Sequence, residues 1–89
     1  MLHLTDTAIK LIQDLVLEAD LPDGGLRIGQ PVERLGLRME LVPAPREADD
    51  VLRTRGASVF LDQAAAVRLD HQTLDARRDP SSSAFFLNA

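Results

Sequence analysis

Gly25-Leu26-Arg27-Ile28-Gly29-Gln30-Pro31-Val32-Glu33-Arg34-Leu35-Gly36-Leu37-Arg38-Met39-Glu40-Leu41-Val42 is the stretch around which the chain is organised. Leu26 to Gly29 and Leu35 to Val42 are apolar-alternating segments joined by a short polar connection containing Gln30, Pro31, Glu33 and Arg34, which is the pattern of a β-hairpin. Successive strand side chains point to opposite faces. Leu35, Leu37, Met39 and Leu41 therefore form one face and Gly36, Arg38 and Glu40 the other. The hairpin is expected at the centre of a sheet, with one side in the core and one in water.

Upstream of it, Leu2 and Leu4 alternate with His3 in a short lead-in or edge strand. Thr5 offers an N-cap and Asp6 places a negative charge in the first turn of a helix. Ala8, Leu11, Ile12, Leu15, Val16 and Ala19 recur at three- and four-residue spacing, so the helix is amphipathic and runs to about Ala19. Leu21-Pro22-Asp23-Gly24-Gly25 ends it through proline and glycine chemistry.

Downstream, Pro43-Ala44-Pro45 breaks strand pairing, because proline lacks the ladder donor. Asp49 to Arg55 and Ala57 to Leu61 read as a second hairpin turning at Arg55-Gly56. Asp62 caps a short helix, Gln63 to Leu69, whose alanines supply propensity. Thr73 to Arg77 is a short strand, Asp79 to Ser83 a loop, and Ala84 to Leu87 a last apolar strand. The pattern predicts a small α+β domain spanning residues 1–89, with one long N-terminal helix and one short helix covering one face of a mixed, mostly antiparallel sheet.

Composition narrows the function classes. Eighty-nine residues with 45% apolar content are enough for one modest core, near the size at which self-association is a natural supplement. Ten basic against fourteen acidic residues give a net charge of −4, which disfavours a nucleic-acid partner. Phe60, Phe85 and Phe86 are the sole aromatics, too few for a base-stacking platform. The N-terminus lacks a basic segment followed by an apolar run, and no window reaches the ~20 apolar residues that span a bilayer, so a cytoplasmic protein without membrane attachment is expected. Cysteine is absent. That removes disulfides, thiolate nucleophiles and thiolate metal ligands together.

The order and wording of the segments resemble the A-type iron–sulfur carrier family, the HesB/IscA/SufA-like proteins, over nearly the whole chain. The resemblance rests on Leu4-Thr5-Asp6-Thr7-Ala8 opening the helix, Gly25-Leu26-Arg27-Ile28-Gly29 as the first central strand, and Met39-Glu40-Leu41-Val42 before prolines. Arg55-Gly56-Ala57-Ser58-Val59-Phe60-Leu61-Asp62 leading into an alanine-rich helix, Leu74-Asp75, and the closing Ala84-Phe85-Phe86-Leu87-Asn88 complete it. It implies a compact, mixed β fold of HesB-like sandwich type and a place in iron–sulfur cluster assembly. Family members carry one cysteine in the central connection and a Cys-Gly-Cys pair near the C-terminus. No position here matches any of the three, so no catalytic, cofactor-binding or metal-ligating residue carries over. Clusters are held by thiolates, with histidine as an occasional substitute, and only His3 and His71 are present. The expectation is a non-catalytic binding or adaptor module that holds no cofactor and pairs with itself or with a cysteine-bearing relative. The alternatives are iron binding through histidine and carboxylates, and a degenerate family member of unrelated role.

Other constellations are weaker. His71, beside Asp70 and near Asp75, makes a metal site with His3 conceivable, against a plain polar turn. Glu47-Ala48-Asp49-Asp50 lacks the oxygen spacing and glycine of a calcium loop and reads as a solvated loop. Arg27 and Arg38 side by side on the wet face could clamp a carboxylate or phosphate, with ion pairing to Glu40 as the alternative. Gly24, Gly25 and Gly29 do not form a phosphate loop, and Ser81, Ser82 and Ser83 have no positioned base. Phe85-Phe86-Leu87, if at a sheet edge, is a surface for a second copy or a protein partner.

Overall fold

The computed structural model describes residues 1–31 and 36–89. Its elements run β1 (His3–Leu4), α1 (Asp6–Glu18), β2 (Gly25–Gly29), β3 (Arg38–Val42), β4 (Asp50–Thr54), β5 (Ala57–Leu61), α2 (Gln63–Arg68), β6 (Thr73–Arg78) and β7 (Ser83–Asn88). The expected α+β class holds. The strands form two sheets, ordered β3-β2-β5-β4 and β1-β6-β7. Both are mixed, because β2 pairs with β5 and β1 with β6 in parallel while the remaining ladders are antiparallel.

The first hairpin forms as expected, Leu26 opposite Leu41 and Ile28 opposite Met39. Its place in the sheet differs from the sequence reading. The centre is the β2–β5 pair, and β3 lies at an edge. The burial pattern explains this: all five residues of β2 and all five of β5 are buried, whereas no residue of β3 is. Residues 32–35, including Leu35 of the expected apolar face, lie outside the described residues.

The second hairpin turns as the sequence predicts. Arg55 at φ 45° and Gly56 at φ 81° both take left-handed conformations, the signature of a two-residue turn whose twist matches the strands. Thr5 caps α1 by accepting from the Ala8 N–H at 3.1 Å, and α1 closes at Asp20, which takes φ 57°. Ala8, Ile9, Leu11 and Ile12 are its buried residues, while Leu17 on the far side stays exposed.

α1 packs against β6, β5 and β2, and α2 against β2 and β5. One apolar cluster joins both sheets, drawing Leu2, Ile12, Leu26, Ile28, Val59, Leu61, Leu69 and Leu74 from six parts of the chain. Gly25 is required where it stands, since any Cβ there would run into the Ser58 carbonyl of β5. Among the described residues, no helix is long and apolar enough to cross a membrane.

Ile28→Ala, at a fully buried position, should lower stability by about 2–5 kcal/mol. Gly25→Ala should cost about 1–3 kcal/mol through overpacking. Urea denaturation checks both, with the midpoint falling and the slope unchanged.

Candidate functional site

The face of the four-stranded sheet away from the helices carries Gly25, Arg27, Gly29, Ser58 and Phe60 on its two central strands. In register, Glu40, Arg27, Phe60 and Val51 form a row across all four strands. Phe60 is fully buried yet stands outside the main apolar cluster. Its cover follows from topology. The chain leaves β3 at one edge and enters β4 at the other, so residues 43–49 must cross the outer face past β2 and β5.

Asp49, the last residue of that crossing, meets Arg27 on β2. Its Oδ2 accepts from Arg27 Nε at 2.8 Å and its Oδ1 from Arg27 Nη2 at 2.9 Å, a bidentate pair. Oδ2 also accepts from the Arg46 backbone N–H at 2.9 Å, while the Asp49 N–H donates to the Arg46 carbonyl at 3.0 Å, closing a turn. Only 2% of the Asp49 side chain and 10% of the Arg27 side chain are exposed. The hydrogen bonds from Arg27, with the Arg46 N–H, hold the Asp49 carboxyl below its ordinary value although burial pushes the other way. Reciprocally, Asp49 raises the Arg27 guanidinium, the opposing effect again being burial.

Two sequence readings are corrected here. Arg27 is not a wet-face clamp beside Arg38, because its guanidinium is committed to Asp49, while Arg38 is exposed and sits 3.8 Å from Glu40. Asp49 is not part of a solvated acidic loop, although Glu47, Ala48 and Asp50 are exposed. A legible signal did exist. An arginine between Leu26 and Ile28, in a strand central enough to be buried on both faces, needs a partner carboxylate.

Beside this pair lies an open cleft of about 300 Å³ that takes in Arg27, Arg38, Arg46, Glu40, Asp62 and Gln30. Asp62 does structural work. Its Oδ1 accepts from the Ala65 N–H at 2.8 Å, capping α2, and its Oδ2 from the Gln30 N–H at 2.8 Å. It thereby ties the end of β2 to the start of α2. With cations and carboxylates interleaved, the described residues of the cleft supply neither a one-signed field for an anion nor a nucleophile paired with a base.

The remaining candidates are dispersed. His71 exposes 92% of its side chain and places Nε2 3.3 Å from Asp70 Oδ2. His3 pairs in register with Thr73, which brings the two histidines to one end of the three-stranded sheet. Asp75 is engaged elsewhere, accepting from Thr5 Oγ1 at 2.7 Å and from the Ala76 N–H at 2.8 Å. Thr5 first and Ala76 second hold its carboxyl below the ordinary value. Among the described residues, no group of three His, Cys, Asp or Glu side chains could hold a metal ion. With no cysteine in the sequence, the residues present do not fit an iron–sulfur cluster. Ser81 lies in the last turn and Ser83 begins β7, one residue earlier than expected.

Removing one member of a buried pair strands the other, so Asp49→Ala should cost about 3–5 kcal/mol, whereas Arg27→Met with Asp49→Leu should recover most of it. The pH dependence has a definite sign. Because the folded-state pKa of Asp49 is depressed, its contribution is complete above the unfolded carboxylate value of about 4 and is lost as pH falls below that. Melting midpoints from neutral pH downward should therefore drop more steeply below about pH 4 in the wild type than in the double variant.

No protein-family model matches the chain. An uncharacterized protein of Bradyrhizobium diazoefficiens is 30% identical over 90 residues, covering 96% of this chain and 83% of that protein. Among solved structures, Escherichia coli SufA, involved in biosynthesis of iron–sulfur clusters, is 27% identical with a TM-score of 0.78 over 98% of this chain and 83% of its own. A protein from Aquifex aeolicus solved in solution by NMR has a TM-score of 0.77 at 21% identity, covering 99% of this chain and 90% of that one. IscA, solved with a 2Fe–2S cluster, has a TM-score of 0.70 at 22% identity, over 99% and 84%. These last two bear on the fold alone. The chain thus belongs to one family with the Bradyrhizobium protein, and over nearly all of its length it has the fold of the A-type iron–sulfur carriers, HesB/IscA/SufA-like, in a sequence without cysteine.

Proposed function

We propose that this chain is a non-catalytic, cytoplasmic binding module of iron–sulfur cluster assembly, which presents the surface of a carrier without carrying the cargo. The observation that supports it is the retention of the carrier fold over 98% of the chain alongside a sequence with no cysteine at all. Oxygen donors and two histidines are a poor substitute for the thiolates that grip a cluster. What such a chain keeps is shape. A module of this kind acts by occupying the place of a carrier subunit, either against a cysteine-bearing relative or against the proteins that load and unload carriers.

Anaerobic reconstitution with iron and sulfide should leave the isolated chain without visible absorption. Mixed with a cysteine-bearing relative, it should enter a complex detectable by size exclusion and light scattering. A coloured cluster on the isolated chain, or no association with any cluster-assembly protein, would overturn the reading.

A further inference from the structure

We infer that the groove between the C-terminal half of α1 and the Arg55-Gly56 turn is a docking site for a basic amphipathic segment of a partner protein, whose apolar side chains seat on Leu17 and whose cations meet an acidic rim. The inference takes from the adaptor reading only that the partner is a protein; the groove and its charge are read from α1 and its surroundings.

The groove is open, about 290 Å³, and its apolar lining is Val16, Leu17, Leu21 and Pro22. Both walls are fixed. On one side the Leu21 N–H donates to the Val16 carbonyl at 2.9 Å and the Asp20 N–H to the Leu17 carbonyl at 3.2 Å. These paired bonds end the helix and fold the next apolar residue, Leu21, back toward Val16. Both side chains are half-buried. On the other side the Gln13 side-chain amide donates to the Arg55 carbonyl, which holds the turn against α1. Leu17 stands between the walls with 80% of its surface exposed. A site whose walls are set beforehand loses little conformational entropy when it is filled.

Charge selects the occupant. Glu18, Asp20 and Asp23 follow one another around the end of α1, all exposed, and none of them makes an ion pair among the described residues. The last turn of α1 has no basic residue, so the carbonyls at its end add the negative pole of the helix to these carboxylates. Cations of neighbouring elements are engaged elsewhere: Arg78 pairs with Asp14 at 2.5 Å, and Arg55 reaches to Asp6 at the other end of the helix. Such a surface repels the phosphates of nucleic acid and of anionic membranes, and its apolar lining gives a bare cation nothing to bury. A protein segment with apolar and cationic side chains on one face answers both features. Phe86 offers no such choice, since it stands on the edge strand β7, 38% exposed, in a strand without charge.

Binding and helix stability are coupled here. In the free chain, anions at the C-terminal end of α1 are unfavourable for the same reason that cations there are favourable. A docked arginine or lysine supplies the charge that the last turn lacks, and an apolar neighbour one helical turn away covers Leu17 and the flank of Leu21. The recognition unit is therefore a pair of apolar anchors at helical spacing with a cation beside them.

The probe is a synthetic helix-forming peptide of about 15 residues with leucines at i, i+3, i+4 and i+7 and arginines flanking them; its twin has glutamate for every arginine. In an NMR titration of the full chain, the amides of Leu17, Asp20, Leu21 and Gly56 should shift together and saturate with a Kd on the order of 100 μM, the twin binding at least about tenfold more weakly. Leu17→Ser should weaken binding about tenfold with unchanged circular dichroism. Asp20→Asn combined with Asp23→Asn should weaken it about fivefold and flatten its dependence on salt. That variant should not lower the melting midpoint, because asparagine tolerates the left-handed conformation at 20 and both carboxylates stand at the negative pole of α1. Failure to saturate, equal binding of the twin, shifts centred on another surface, or variants that bind as the wild type does would each overturn the inference. The same shifts on concentrating the chain alone would make a second copy the occupant and overturn it too. A groove that ignores the peptide leaves the adaptor reading to other surfaces, whereas a coloured cluster on the isolated chain sinks that reading and leaves the groove as it is.

Discussion

The bidentate contact between Arg27 and Asp49 is the constraint on which the rest of the larger sheet depends. A connection of seven residues has to pass from one edge of a four-stranded sheet to the other, a span of about three strand spacings. It is rich in proline and exposed polar groups and owns little apolar surface with which to hold itself down. A charge fixed on a central strand gives it an anchor. Because both partners are nearly free of solvent, the pair is sensitive to loss of either member while contributing little beyond a well-packed apolar substitute. Its service is to the route of the chain, which it ties to β2 beside the fully buried Phe60.

Asp62 performs a parallel duty at the end of the same strand. Parallel pairing of β2 and β5 requires a crossover, and here it is the chain from β3 through β4 that returns to the sheet centre. The carboxylate that starts α2 also takes the Gln30 N–H, so the end of β2, the start of α2 and the mouth of the cleft are set by one side chain. Two of the charged side chains around that cleft are therefore structural: Arg27, which from sequence suggested half of an anion clamp, holds the crossing loop through Asp49, and Asp62 satisfies main-chain N–H groups.

Elements with strong local chemistry were legible from sequence: the Thr5 and Asp62 caps, the amphipathic α1, the Arg55-Gly56 turn and the pairing of β2 with β3 all stand where their patterns put them. Misread features depended on contacts distant in sequence. Alternation identifies which residues of β2 share a face but not which loop will cover that face, so Arg27 looked solvated. An acidic run looks solvated whichever of its members is buried, and Asp49 could be singled out only by knowing that the strand order forces its loop across the sheet. Placing the first hairpin at the sheet centre failed for a similar reason. Continuous burial of β5 shows that it is internal, but its pairing with β2 is a non-local choice that no short pattern encodes.

This architecture stands without a single cysteine because its packing and polar contacts use none. A structural metal contributes folding free energy, and a domain built on it unfolds when the ligands go. Here the apolar cluster joins both sheets, the ion pair fixes the crossing loop, and, among the described residues, every buried side-chain nitrogen and oxygen has a hydrogen-bond partner. The carrier outline is therefore separable from the carrier chemistry, and likeness of fold to a cluster-bearing relative says nothing about cargo. What fold alone can transmit is surface.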